Sequence, residues 1–137
     1  MSSVRNLVLG GTAFIGRHLV EQLLALGQDV TLLNRGASTA PAGVEQLIAD
    51  RGDPVAMREV LAGRDWDVVY DVSASVRVAS AESIAALIER LDGHCGLYEF
   101  VSSIAAYRFS GGAFPWSEDR PTTRSKPTSY GGQKATV

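Results

Sequence analysis

The sequence predicts an α/β fold, a doubly wound parallel sheet of about five strands, and three observations carry the prediction. Short β-branched apolar runs alternate with segments of helical period. Those runs are nearly continuous in apolar residues, as strands covered on both faces must be. The first run passes into a glycine-rich turn, and a helix opens at once. Right-handed crossovers between the units leave the doubly wound layout as the leading arrangement.

Val4–Leu9 reads as a buried strand, and Phe14–Leu26 as an amphipathic helix. The apolar residues of that helix, Phe14, Ile15, Leu19, Val20, Leu23, Leu24 and Leu26, fall near the 3.6 period. Gly27 stands where a left-handed residue would end it. Val30–Leu33 is a second strand and Val44–Ala49 a weaker third. Asp53-Pro54 starts a helix, with Asp capping the free amides and Pro having no N–H to lose. It runs to about Ala62 and stops at Gly63. Asp67–Val72 is a fourth strand, opened by Trp66 at the core or its rim. Ala79–Leu91 is a second long helix, ended by Gly93, and Leu97–Val101 a fifth strand. From Phe109 to Ser129 the chain turns rich in Gly, Pro, Ser and Thr, the composition of a long functional or disordered loop.

The 137 residues allow one domain. With 13 Lys+Arg against 15 Asp+Glu, the net charge of −2 argues against a dominant nucleic-acid or membrane surface. No apolar run reaches the ~20 residues of a membrane span. Cys95 has no partner in the chain, which excludes a disulfide scaffold, and no signal peptide is visible. Cytoplasmic placement is the expectation. His94 and Cys95 are adjacent, but no second cluster exists to complete three or four ligands, and His18 reads as a surface residue, so no metal site is expected.

The turn after the first strand is Gly10-Gly11-Thr12-Ala13-Phe14-Ile15-Gly16. A dinucleotide pyrophosphate must sit against backbone amides at a helix N-terminus, where side chains would block it. Gly10 permits the tight turn, and Gly16 lets helix and strand pack closely. Ala13 takes the middle glycine position, where its methyl crowds the phosphates slightly. The second strand ends in Asn34-Arg35, beside the adenosine ribose in this topology. An acid there would favour NAD; the Arg35 guanidinium suits a 2′-phosphate and favours NADP, with NAD the second choice. An exposed loop arginine is the plainer reading. Asp50 is placed to bond the adenine amino group or simply to cap its loop.

The fifth strand ends in Val101-Ser102-Ser103, with Tyr107 four residues past Ser103. Tyr130-Gly-Gly-Gln-Lys134 follows 27 residues beyond Ser103. On a helix, Tyr130 and Lys134 share a face. An ammonium beside a phenol favours the phenolate, and such a pair exchanges a proton with a substrate hydroxyl or carbonyl. The serine hydroxyl would hold the same oxygen, and the lysine could also grip the nicotinamide ribose.

These stretches together resemble the short-chain dehydrogenase/reductase superfamily, most of all its extended or atypical branch, the NAD-dependent epimerase/dehydratase group. The matching segments are 10–16, Ala-Asp-Arg at 49–51, Asp-Val-Ser-Ala at 71–74, Val-Ser-Ser-Ile-Ala-Ala-Tyr at 101–107, Glu118–Pro121 and Tyr-Gly-Gly-Gln-Lys-Ala at 130–135. The resemblance implies a Rossmann-type NAD(P)-binding domain over residues 1–137, cut off after the start of the Tyr-x-x-x-Lys helix, with the substrate region beyond it. It implies Ser103, Tyr130 and Lys134 as the catalytic set, with Ser102 as the substitute for Ser103. The cofactor would meet Gly10, Thr12, Ala13, Phe14, Ile15, Gly16, Asn34, Arg35, Asp50, Arg51, Ser73, Ala74, Tyr130 and Lys134, and Tyr107 would face the substrate.

The expected activity is an NAD(P)-dependent oxidoreductase, epimerase or dehydratase on a small hydroxyl or carbonyl substrate, with a nucleotide sugar as the family-level expectation. The alternative is a dinucleotide-binding module without catalysis: a sensor, scaffold or RNA-associated protein. The resemblance implies a homodimer through Ala79–Leu91 and the tyrosine helix, while the residues themselves leave the oligomeric state open. Arg120, Arg124, Lys126 and Lys134 form a basic stretch that would meet a substrate phosphate or lie solvated. Trp116 would line the substrate pocket or cover the sheet edge.

Overall fold

The structure, a computed structural model, describes residues 3–73, 79–108, 115–123 and 129–136. Five parallel strands form one sheet in the order β3-β2-β1-β4-β5. They are β1 Arg5–Leu9, β2 Asp29–Asn34, β3 Glu45–Ile48, β4 Trp66–Asp71 and β5 Cys95–Phe100. The helices are α1 Phe14–Ala25, α2 Pro54–Val60, α3 Ala81–Leu91 and α4 Tyr130–Thr136. A single 3₁₀ turn, Ile104–Ala106, follows β5. The expected doubly wound α/β architecture is therefore present.

Alternation along β1 divides the core. Leu7 and Leu9 join Leu33, Leu47, Met57, Leu61, Val69, Leu87 and Leu91 on the face covered by α2 and α3. Val8 joins Val20, Leu23, Val30 and Leu32 on the face covered by α1. Trp66 is a core residue. Asn6 is buried inside β1, where its amide donates to Val4 O, Gln28 Oε1 and Asp29 O and ties the start of β2 to the central strand.

Helix ends follow the local chemistry. Gly27, Gly63 and Gly93 all adopt positive φ just past a helix. Asp53 Oδ1 accepts from the amides of Val55 and Ala56, as a cap should. The third helix starts two residues later than the periodicity suggests, because Ser80 acts as its cap and accepts from Ser83 N. The buried face of α1 is also narrower than its pattern implies. Phe14, Ile15 and Leu26 are exposed, and Gly16, Val20 and Leu23 are buried. β5 departs from the fully covered pattern as well: it ends the described sheet, and Leu97 is half exposed.

Seven residues of isolated helix would not hold in water, so α4 depends on docking. Gly131, Gly132, Gln133, Lys134 and Ala135 are all buried. A Cβ on Gly131 would overlap Ala105 O, so only glycine lets α4 approach the 3₁₀ turn this closely. Gln133 Nε2 donates to Ala79 O, fastening α4 to the segment before α3.

Candidate functional site

The strands end together at one edge of the sheet. Leu9 is level with Leu33 and with Asp71, Asn34 with Ile48, and Asp71 with Phe100. In a doubly wound fold, ligands bind outside these carboxyl ends, where strand order reverses. Here the reversal is at β1, between β2 and β4.

The turn leaving β1 is shaped by glycine at each critical point. Gly10 and Gly11 have φ of +113° and +75°. A Cβ on Gly10 would lie 2.9 Å from Ser73 Cβ, and one on Gly16 would lie 2.7 Å from Gly11 N. No side chain could be added without pushing α1 or the segment after β4 away. Phe14 has φ of +46°, a costly value for a bulky residue, with its ring 82% exposed. Asp53 caps α2 and Ser80 caps α3, whereas α1 begins at Ala13 with no side-chain cap. The first-turn amides of α1 therefore keep their donors and the positive end of the helix dipole for an anion.

Beside this turn lies a hollow of about 160 Å³, lined among others by Gly10, Thr12, Asn34, Arg35, Arg51 and Ser73. Six of the sequence-predicted cofactor residues thus share one wall. Ala13, Phe14 and Ile15 stand exposed on the adjoining turn. Ala74 lies outside the described residues.

Three of the predicted residues hold positions the sequence does not reveal. Asn34 Oδ1 accepts from Gly36 N and Gln46 Nε2, so that oxygen is spent on the loop and not free for a ribose hydroxyl. Asp50 Oδ1 accepts from Gly52 N and closes its own turn, matching the loop-cap alternative. Arg51 does not reach out as a free cation. Its fork embraces Asp71, NH1 at 2.7 Å from Oδ1 and NH2 at 2.6 Å from Oδ2, with both side chains buried. NH1 also donates to Ser73 Oγ at 3.0 Å. Arg35, by contrast, is exposed at the rim and unpaired among the described residues.

Sequence reasoning passed over the roles of Asp71 and Tyr98. The Tyr98 hydroxyl donates to Asp71 Oδ2 at 2.6 Å, so one carboxylate gathers a side chain from β5 and one from the turn after β3. Burial, and next the Asp71 charge, push the Tyr98 phenol far above its usual range. The available signal was an acid ending an apolar strand, since a buried carboxylate requires partners.

The second predicted constellation is only partly assembled. Ser102, Ser103, Ile104, Tyr107 and Trp116 line a hollow of about 520 Å³. Tyr107 and Trp116 therefore share the lining of one hollow. Ser103 Oγ accepts from Ala105 N and caps the 3₁₀ turn. Lys134 is buried, with Nζ donating to Val101 O at 2.6 Å, 4.3 Å from the Phe100 ring centre and 5.9 Å from the Tyr130 ring centre. Burial lowers the Lys134 ammonium below its ordinary value. Tyr130 is exposed on the same helix. The basic stretch does not form one patch. Arg120 lies 3.9 Å over the Trp116 ring and donates to Arg108 O, Lys134 is buried, and Arg124 and Lys126 lie outside the described residues. Among the described residues, no cluster of three or more His, Cys, Asp or Glu could hold a metal. Nor is any described helix long and apolar enough to cross a membrane.

A parallel sheet of this order, with a glycine turn and an uncapped helix at its reversal point, defines a Rossmann-type nucleotide-binding fold. The model of the NAD dependent epimerase/dehydratase family matches residues 6–127, and the chain belongs to that family. Chloroplast stem-loop binding protein of 41 kDa b from Arabidopsis thaliana is 31% identical over 121 residues, covering 77% of this chain and 31% of the relative. The UDP-glucose 4-epimerase of Thermus thermophilus, solved with NAD, is 26% identical with a TM-score of 0.73, covering 97% of this chain and 48% of that one. WbmH of Bordetella bronchiseptica, solved with NAD+, shares the fold with a TM-score of 0.82 at 14% identity, over 98% of this chain and 51% of that one. The chain thus spans about a third of that curated relative and about half of those solved structures.

The residues fit a dinucleotide. Gly10 and Gly16 let the turn, α1 and the segment after β4 pack so closely that the helix start sits at the sheet edge, and the α1 amides have no side-chain competitor.

Proposed function

We propose that this chain is the cofactor-binding part of an NAD(P)-dependent epimerase, dehydratase or oxidoreductase acting on a small hydroxyl or carbonyl substrate, a nucleotide sugar in the first instance. The observation that carries the proposal is the uncapped start of α1 above a turn whose Gly10, Gly11 and Gly16 have no room for a side chain. The pyrophosphate would sit on the Thr12–Gly16 amides, with the adenosine end toward Asn34 and Arg35. NADP is the preferred cofactor and NAD the second, because Arg35 is the unpaired cation at the hollow.

When bound, the nicotinamide supplies the hydride chemistry. The chain's own residues bind and orient. Lys134 has three donors and spends one on Val101 O, which leaves two for a ribose hydroxyl. Tyr130 is the proton-exchanging group, and the Ser103 hydroxyl holds the reacting oxygen. Tyr107 and Trp116 supply part of the wall of the hollow that Ser103 lines. A homodimer through α3 and α4 is the proposed assembly, and the cytoplasm the proposed compartment, on the single thiol of Cys95.

Fluorescence titration of the full chain with NADPH and NADH tests the cofactor reading, which fails if neither binds. Turnover of UDP-sugar probes by the wild type but not by Tyr130→Phe supports catalysis. Tight binding with no turnover of any probe points instead to the non-catalytic module.

A further inference from the structure

The fork of Arg51 on Asp71 crosses from the end of β3 to the end of β4, beneath the wall of the dinucleotide hollow. We propose that this buried pair is a positioning device: through Ser73 it holds the Gly10 turn in place and leaves the Ser73 hydroxyl as a hydrogen-bond donor to a phosphate or ribose oxygen of the dinucleotide. The proposal rests on the reading that the hollow takes a dinucleotide.

Hydrogen-bond chemistry sets the direction. A guanidinium has donors and no acceptor, so in the contact with Arg51 NH1 the Ser73 oxygen must accept. The Ser73 proton is then left over, and no described residue accepts it. Ser73 lines the same hollow as Gly10, Thr12 and Arg35, so the nearest unfilled volume for an acceptor is the ligand site. Ser73 is half-buried, so a bound oxygen there would take over from water as the acceptor of its proton.

Packing sets the position. A Cβ on Gly10 would lie 2.9 Å from Ser73 Cβ and 3.0 Å from Val72 Cγ2. The segment after β4 therefore rests directly on the phosphate turn. Any displacement of Ser73 moves Gly10, and Arg51 is the side chain that fixes Ser73. Tyr98 completes the network from β5 but bonds Asp71 alone, which separates fold support from site geometry.

Energetics leaves room for such a role. Replacing a buried ion pair by apolar residues of similar volume is often neutral or stabilising, so a fork like this need not be present for stability. Its distinct contribution is a fixed orientation, and the group it orients is Ser73.

NADPH affinity of the full chain, read by fluorescence, tests the device, with thermal unfolding measured in parallel. Ser73→Ala is expected to weaken binding about tenfold, the loss of one hydrogen bond to a charged or strongly polar oxygen. The triple variant Arg51→Met, Asp71→Leu, Tyr98→Phe removes the network without stranding a charge, and should weaken binding by a similar factor. Adding Ser73→Ala to the triple variant should cost nothing more, because the hydroxyl is already unaligned. Arg51→Lys is the milder variant: it keeps the charge facing Asp71 but cannot fork to Ser73, and should also weaken binding. Tyr98→Phe alone should lower the unfolding midpoint and leave affinity unchanged. Additive losses, an unchanged affinity in Ser73→Ala or Arg51→Lys, or an affinity loss in Tyr98→Phe that tracks stability would each overturn the proposal while leaving the dinucleotide reading intact. Failure of the wild type to bind NADPH or NADH would overturn both.

Discussion

Gly16 and Gly11 meet backbone to backbone: a Cβ on Gly16 would lie 2.7 Å from the Gly11 nitrogen and 2.9 Å from its Cα. Gly16 is the third residue of α1, a place where alanine would ordinarily favour the helix. Here the steric term wins, because rigid backbone and not a flexible side chain stands opposite. Gly16→Ala is expected to destabilise the chain by about 1–3 kcal/mol through overpacking. It should also weaken NADPH binding by about tenfold or more, as the amides of the helix start move off the phosphates. Urea unfolding and fluorescence titration read the two effects. An unchanged affinity would remove the phosphates from this turn.

Tyr98 makes stability depend on pH at the alkaline end. Burial first, then the Asp71 charge, keep its phenol protonated in the fold above the free value of about 10. A raised folded-state pKa contributes stability that is fully present below that free value. The contribution is lost as pH climbs from there toward the folded value, because the unfolded chain releases its proton first. Tyr98→Phe is expected to lose about 1.5–3 kcal/mol at pH 7, the worth of a hydrogen bond to a charged acceptor. The gap between wild type and variant should narrow above pH ~10. Equilibrium unfolding across pH 7 to 11 checks this, and a gap that stays constant would contradict it.

Arg35 decides between the two nicotinamide cofactors in the proposed function. Its guanidinium is exposed and unpaired among the described residues, whereas Arg51 is neutralised by Asp71. Arg35→Ala should weaken NADP binding about tenfold to a hundredfold, the range of one charge-assisted contact, and leave NAD within about twofold. Parallel titrations with both cofactors make the comparison. Equal losses for the two would assign the preference elsewhere.

Asp53 is the control for a purely structural position. Its carboxylate caps α2 at 2.9 Å from Val55 N and 3.1 Å from Ala56 N. Asp53→Ala is expected to cost about 1 kcal/mol of stability, with cofactor affinity unchanged. A thermal scan with and without NADPH separates the two quantities.

The elements read clearly from the sequence because their causes are local. A glycine at positive φ ends a helix wherever it stands, as Gly27, Gly63 and Gly93 do. An Asp before Pro caps a helix without help from the rest of the chain, as Asp53 does. The Ser80 cap is hidden by its neighbour: Ala79 continues the apolar pattern, while the bond from Ser83 N makes Ser80 the cap and starts α3 two residues later, at Ala81. The overextended face of α1 has a different cause. Phe14 and Ile15 match the helical period, but they form the first turn of α1 at the sheet edge, where no described residue covers them.

The fold class, the position of the glycine turn and the family are legible along one dimension, because alternation, glycine spacing and motif order need no partner from elsewhere in the chain. Only the tertiary structure decided what the charged and polar side chains do once there. Arg51 and Asp71 are 20 residues apart, Tyr98 and Asp71 27 apart, Lys134 and Val101 33 apart. Arg51 and Arg35 look alike as residues at strand ends, yet one is buried in a fork and the other is exposed at the rim. Electrostatic partnership falls off with distance in space and is indifferent to distance along the chain. The pairing of the strands, by bringing five ends to one edge, therefore chose which cation would be neutralised and which would stand exposed at the rim.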